Sequence, residues 1–241
     1  MDEKEKGMLL LCCNFRQREG PRPLSVAQFR KLGVQVRELG RHFSPSSQEL
    51  TPLRLMEIGY SEEESLRIYH LISREKELEQ YLQQADRWNI VPMTRISADY
   101  PAVLHRKLKE YCPPALFLYG NRQLLKTTLI SVVGAREITP DHRDFAEKVG
   151  KMAAKCGFTL VPGGAAGADT VAFQACLASG GNGICVVPDR LKDSVSRKLD
   201  MERVLFCSAD GFDIGFSAAR AHARNRIIHC LGDRVFVVQT H

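Results

Sequence analysis

The sequence predicts an α/β protein, a Rossmann-like doubly wound parallel sheet preceded by a small helical domain. Three observations carry this. From about residue 126, short runs that are apolar throughout alternate with helical stretches, as strands do when crossover helices bury them on both faces. Two of those runs end in glycine-bearing turns. Residues 8–89 instead repeat their apolar positions mostly at helical spacing. The expected division is 1–88 for the helical domain and 89–241 for the α/β core.

In the helical part, Ser25 is placed to cap the stretch VAQFRKLGVQVREL, and Ser61 opens a capping box with Glu64. Leu66, Tyr69, His70, Ile72, Leu78, Tyr81 and Leu82 continue that second pattern, while Pro45, Ser46 and Ser47 mark a loop. Ile90 and Val91 begin a short strand. The turn Asp99-Tyr100-Pro101 starts a short helix with Leu104 and Leu108. Pro113-Pro114 forces extended backbone into a strand at 115–119, stopped at Gly120-Asn121. The core then reads strand 130–133, helix 141–156, strand 158–161, helix 169–178, strand 183–187, strand 204–207, helix 218–231 and strand 235–238.

Composition narrows the function classes. With 241 residues and 44% hydrophobic content the chain can bury a sizeable core. A net charge of +6 is compatible with a nucleic-acid partner and weak by itself. The eight cysteines form no CxxC pair, and Cys156, Cys176, Cys185, Cys207 and Cys230 sit in apolar runs. They read as buried, reduced thiols of a cytoplasmic protein, with neither a zinc site nor a disulfide framework. The opening MDEKEKGMLLLCCNF is too short in its apolar part for a signal peptide, and no run approaches the ~20 apolar residues of a membrane span. Histidines lack metal-ligand spacing and no serine sits in GxSxG, so neither a metal, a cofactor nor a catalytic set is expected.

Two turns concentrate the chemistry: Gly134-Ala135-Arg136 and Gly163-Gly164-Ala165-Ala166-Gly167-Ala168-Asp169. Small residues after a strand let backbone N–H groups approach a phosphate, the following helix start adds partial positive charge, and Arg136 adds a full one. The competing reading is that these glycines only make tight turns. Neither turn matches GxGxxG or GxxxxGK[ST], which excludes dinucleotide and P-loop sites of those types. Asp169 either stabilises its helix start or bonds a sugar or base. Arg224, Asn225 and Arg226 follow Arg220 and His222 in the last helix. Arg224 and Arg226 lie about 200° apart on a helix, so one at most faces the site with Asn225. The basic residues Arg16, Arg18, Arg22, Arg30, Lys31, Arg37 and Arg41 read first as a solvated face and second as another nucleic-acid surface.

The ordered series of small motifs resembles the DprA/Smf family. It runs from Asp99-Tyr100-Pro101 through Pro113-Pro114, Leu118-Tyr119-Gly120, Val132-Val133-Gly134-Ala135-Arg136 and the second glycine turn to Arg224-Asn225-Arg226-Ile227-Ile228 and Asp233-Arg234-Val235. The likeness spans roughly 88–238, with a weaker helical, SAM-like likeness before it. It implies single-stranded DNA binding without catalysis, dimerisation, and transfer of DNA to a RecA-type recombinase during DNA uptake and recombination. It also implies that Gly134, Arg136, Gly163, Gly164 and Gly167 hold the DNA backbone, with Arg224 and Asn225 near by; Ala135, Ala165 and Asp169 complete the expected nucleic-acid site. This chain departs from the family pattern at Ala135, Ala166 and Phe173, where serine, arginine and histidine are usual. It also stops at His241, where members continue, and so reads as a divergent or C-terminally truncated member. Two other readings compete. One is a sensor of a nucleotide-derived ligand on the same superfold. The other is an enzyme similar to the LOG phosphoribohydrolases, whose PGGxGT motif is only half present at Pro162-Gly163-Gly164.

Overall fold

Alternation along each strand decides the architecture. In the computed structural model, which describes residues 1–15, 20–38, 49–163, 167–194, 199–209 and 211–238, the strands form one seven-stranded sheet. They are β1 (Val91–Thr94), β2 (Ala115–Gly120), β3 (Leu129–Val133), β4 (Thr159–Pro162), β5 (Asn182–Val186), β6 (Val204–Ser208) and β7 (Arg234–Val237), in the order β1-β2-β6-β5-β4-β3-β7. From β6 to β7 every pairing is parallel, whereas β1 with β2 and β2 with β6 run antiparallel. The predicted parallel sheet is therefore right for its core and extended by an antiparallel edge.

Successive residues serve opposite faces, as a period of two requires. Leu116 and Leu118 join Ile184, Val186, Leu205 and Cys207 on one face, under α6 (Ala102–Leu108) and α9 (Ala218–Leu231). On the other face, Ile130, Val132 and Leu160 meet α7 (Pro140–Lys155) and α8 (Ala168–Ala178). Phe117, Cys185 and Phe206, also on that face, share a cluster with the N-terminal helices. Those are α1 (Glu3–Cys12), α2 (Val26–Glu38), α3 (Pro52–Glu57), α4 (Glu62–Ile72) and α5 (Glu75–Arg87). The sheet is thus doubly wound, and its order reverses at β3, with β4 to β6 on one side and β7 on the other.

Local chemistry sets the helix ends. Ser25 and Gln28 exchange both bonds of a capping box, Gln28 N–H to Ser25 Oγ at 3.2 Å and Ser25 N–H to Gln28 Oε1 at 2.9 Å. Ser61 caps α4 through the Glu64 N–H at 3.2 Å, but the Glu64 carboxylate accepts from the Ser61 hydroxyl at 3.5 Å rather than from its backbone. The box expected there is half formed. The apolar pattern that runs on through Tyr81 breaks at Ser73-Arg74 into α4 and α5. Tyr100 is buried and its hydroxyl donates to the Pro113 carbonyl at 2.9 Å, tying the start of α6 to the Pro113-Pro114 segment.

One expectation about the thiols fails. Cys156 is exposed and Cys230 only half-buried, while Cys12, Cys13, Cys112, Cys176, Cys185 and Cys207 are buried. Cys156 is the C-cap of α7, where the chain turns outward through Gly157 at φ +69°. Burial pushes the Cys12 and Cys207 thiols up to about 12, which keeps them protonated and inert. Among the described residues, no helix is long and apolar enough to cross a membrane, and no group of three or more His, Cys, Asp or Glu could hold a metal.

Candidate functional site

The carboxyl ends of β3 and β4 bring the two glycine turns together. At Gly134-Ala135-Arg136 the chain leaves β3 with Ala135 buried and Arg136 exposed. Gly167 then precedes α8 at φ +94°, and a methyl group there would lie 2.3 Å from the Ala135 carbonyl oxygen and 2.4 Å from that of Arg136. Only glycine permits both the left-handed backbone and this approach. The Ala168 N–H donates to the Ala135 carbonyl at 3.4 Å, so the start of α8 is bonded to the first turn. Gly164 and Ala165, expected in the site, lie outside the described residues, as does Ala166.

Asp169, 4% exposed, sits in the first turn of α8. Its carboxylate lies against Gly163, where a methyl group would come within 2.0 Å of Oδ2. Across from it, α9 presents Arg224. Burial pulls the Arg224 pKa down, the Asp169 carboxylate opposes that shift, and the Arg136 charge adds to it. Arg136 and Asp169, from separate elements, therefore both lie within electrostatic reach of Arg224 at the strand ends. The Nε and Nη1 atoms of Arg224 are buried and have no hydrogen-bond partner among the described residues. A guanidinium so placed is a donor set aimed at an acceptor that the described residues do not provide.

Arg224 and Asp169 line a cavity of ≈ 580 Å³ at the carboxyl ends of β4 and β5. Phe173, Leu177, Val187 and Phe216 make its apolar walls, and Gln174, Asp189 and Arg190 are among its polar groups. Phe173 packs over Gly183, where a methyl group would meet its ring at 2.2 Å. Asp189 and Arg190 are not among the residues expected in the site. The signal was there: Pro188-Asp189-Arg190 leaves β5 at the same edge of the sheet as the glycine turns leave β3 and β4.

The remaining expected residues divide. Asn225 is exposed on α9, and Arg226 turns away from the cavity to lie over the Tyr111 ring, 5.0 Å from its centroid. Arg220 holds the preceding loop, donating to the carbonyls of Ile214 and Gly215 and to Ser208 Oγ. Of the N-terminal basic residues, Arg22, Arg30, Lys31 and Arg37 are exposed; Lys31 lies over Tyr60, and Arg37 donates to the Gly33 carbonyl. Arg16, Arg18 and Arg41 lie outside the described residues.

Comparison with known proteins gives a consistent answer. The model of the family described as DNA recombination-mediator protein A matches residues 92–241. Protein Smf of Synechocystis sp. is 27% identical over 233 residues, which are 90% of this chain and 57% of that protein. The chain thus spans a little over half the length of this relative. The X-ray structure of DNA processing protein A from Streptococcus pneumoniae superposes with a TM-score of 0.64 at 24% identity, covering 87% of this chain and 71% of that one. DNA processing protein A from Helicobacter pylori, solved for its single-stranded DNA binding mode, gives a TM-score of 0.51 at 24% identity, covering 61% of this chain and 68% of that one. These two likenesses establish the Rossmann-like fold.

Proposed function

Because the chain belongs to the family of DNA recombination-mediator protein A, we propose that the strand-end site built by Gly134, Ala135, Arg136, Gly163, Gly167, Asp169 and Arg224 binds the backbone of single-stranded DNA. Gly164, Ala165 and Asn225 belong to the same proposal. The observation that carries it is the Arg224 guanidinium, buried beside Asp169 with Nε and Nη1 lacking a partner among the described residues. A phosphate oxygen supplies the missing acceptor, and Arg136 at the mouth adds the second charge. Binding protects the strand and presents it to a RecA-type recombinase in the cytoplasm, without a catalytic step. Self-association into a dimer completes the proposal. It draws support from edge strand β7, whose Val235 and Val237 are exposed on one face and whose Phe236, on the other, lines an apolar cavity of ≈ 490 Å³ with Ile130 and Met152.

A second reading has its own observation. The ≈ 580 Å³ cavity carries both signs of charge and apolar walls, dimensions and chemistry that suit a single nucleotide. Anisotropy of a fluorescent oligo-dT at two salt concentrations, with a mononucleotide competitor, separates the two. Salt-sensitive binding that resists the mononucleotide, and that falls at least tenfold in Arg136→Ala, is the expected result. Displacement by the mononucleotide would make this a sensor. Release of free base from a nucleoside monophosphate would make it an enzyme, and a monomer by light scattering at the working concentration would remove the dimer.

A further inference from the structure

The site described so far uses one side of α9. The opposite side carries a second constellation. His222, Arg226 and His229 fall within about 60° of one another on the helical wheel, and all three are exposed. No aspartate or glutamate occurs from Ser217 to Gly232. Packed along this helix, α6 and the turn that follows add Arg106, Lys107 and Lys109, all exposed, against the lone acid Glu110. Lys107 fixes the pairing by donating to the Cys230 and Gly232 carbonyls at 3.0 and 3.1 Å. At the centre stands Tyr111, 66% exposed, an aromatic ring that no core requires, with the Arg226 guanidinium over its face.

Cations around an exposed, guanidinium-stacked ring are what single-stranded nucleic acid uses: phosphates follow the charges and a base stacks on the ring. We propose that the Tyr111–Arg226 pair is a second contact for single-stranded DNA, reached by a strand that leaves the Arg224 site and crosses α9 over the exposed Asn225. This rests on the reading of the strand-end site as a DNA site and deepens it, because it gives the strand a direction and lengthens the footprint. An acidic protein partner would be attracted by the same charges but would gain nothing from the ring.

The test compares a six-nucleotide and a twenty-nucleotide oligo-dT by anisotropy on the wild-type chain, Tyr111→Leu, Tyr111→Phe, Arg226→Gln and Arg136→Ala. A melting curve of each variant shows that it is folded. The expected result is that Tyr111→Leu and Arg226→Gln weaken the long oligonucleotide roughly tenfold, within the range for loss of one stacked base. They leave the short one within about twofold, and Tyr111→Phe binds both as wild type. Wild-type affinity of Tyr111→Leu for the long oligonucleotide would overturn the proposal. Equal loss of both lengths would overturn it too, since the pair would then belong to the first site. Polyglutamate displacing the long oligonucleotide as well as unlabelled DNA does would show an acidic-protein surface instead. If Arg136→Ala binds normally while Tyr111→Leu does not, the strand-end reading fails and the Tyr111 contact survives.

Discussion

Arg74 and Arg224 are both drawn out of water, and they are treated in opposite ways. Arg74, 7% exposed, stands between α4 and α5. Its Nε donates to the Leu71 carbonyl at 3.1 Å, and its Nη2 donates to the carbonyls of Leu10 and Cys13. Its plane lies over Phe15, 4.8 Å from the ring centroid. Those carbonyls terminate α4 and α1, where unpaired oxygens and the negative dipole end call for a cation. Arg224 is half-buried, faces the carboxylate of Asp169, and keeps two nitrogens without partners among the described residues. One arginine closes a structural account; the other leaves it open toward a cavity. The difference teaches that burial alone does not set the two apart: the unmet hydrogen bonds do.

The strongest test of that contrast is to remove each guanidinium while keeping its bulk. Arg74→Met strands three carbonyls in the helical cluster and should cost about 3 kcal/mol of stability by urea unfolding. Arg224→Met strands no carbonyl among the described residues but leaves the buried Asp169 carboxylate without its facing charge, so it should cost about 1 kcal/mol, clearly less than Arg74→Met, while lowering oligonucleotide affinity. If Arg224→Met destabilises the chain as much as Arg74→Met does, Arg224 is structural and the comparison collapses.

A smaller effect sharpens the comparison from the backbone side. Gly167→Ala forces a side chain into φ +94° and sets its methyl against the carbonyls of Ala135 and Arg136. The strain should cost about 2 kcal/mol and part the two turns, so that affinity falls together with stability. Unchanged affinity in a chain destabilised to that extent would mean that the close approach of the turns serves packing alone.

What could be read beforehand follows from how far apart the partners lie in the chain. Ser25, Ser61 and the strands from β3 onward were legible because a cap or an all-apolar run is settled within a few residues. The antiparallel edge was not, because the pairing of Phe117 with Ser208 and of Tyr119 with Phe206 is set by tertiary contacts between distant segments. At the site, Gly134, Arg136 and Gly163 announced themselves as turns after strands, and the 200° rule separated Arg224 from Arg226. Nothing local pairs Arg226 with Tyr111. The exposure of Cys156 was misread because an apolar neighbourhood in sequence says little about a residue that ends a helix. The family resemblance supplied the order of the motifs, and the packing supplied which of them meet.

The mildest prediction concerns the seam between the helical part and the sheet. Tyr81 of α5 donates from its hydroxyl to Asp213 Oδ1 at 3.0 Å and accepts from the Phe212 N–H at 3.1 Å. Its ring packs against Phe15, Phe117 and Phe212. Tyr81→Phe keeps the ring and deletes both bonds, which should cost about 1 kcal/mol. The two-part division expected at residue 88 can be tested on the same samples. The cluster that joins Leu9, Leu11 and Tyr81 to Phe117, Phe206 and Phe212 crosses that position. It predicts one cooperative transition that shifts as a whole in Tyr81→Phe. Two transitions, with only the helical one displaced, would instead mean that residues 1–88 unfold as a unit of their own, and that the seam is a contact between domains rather than a common core.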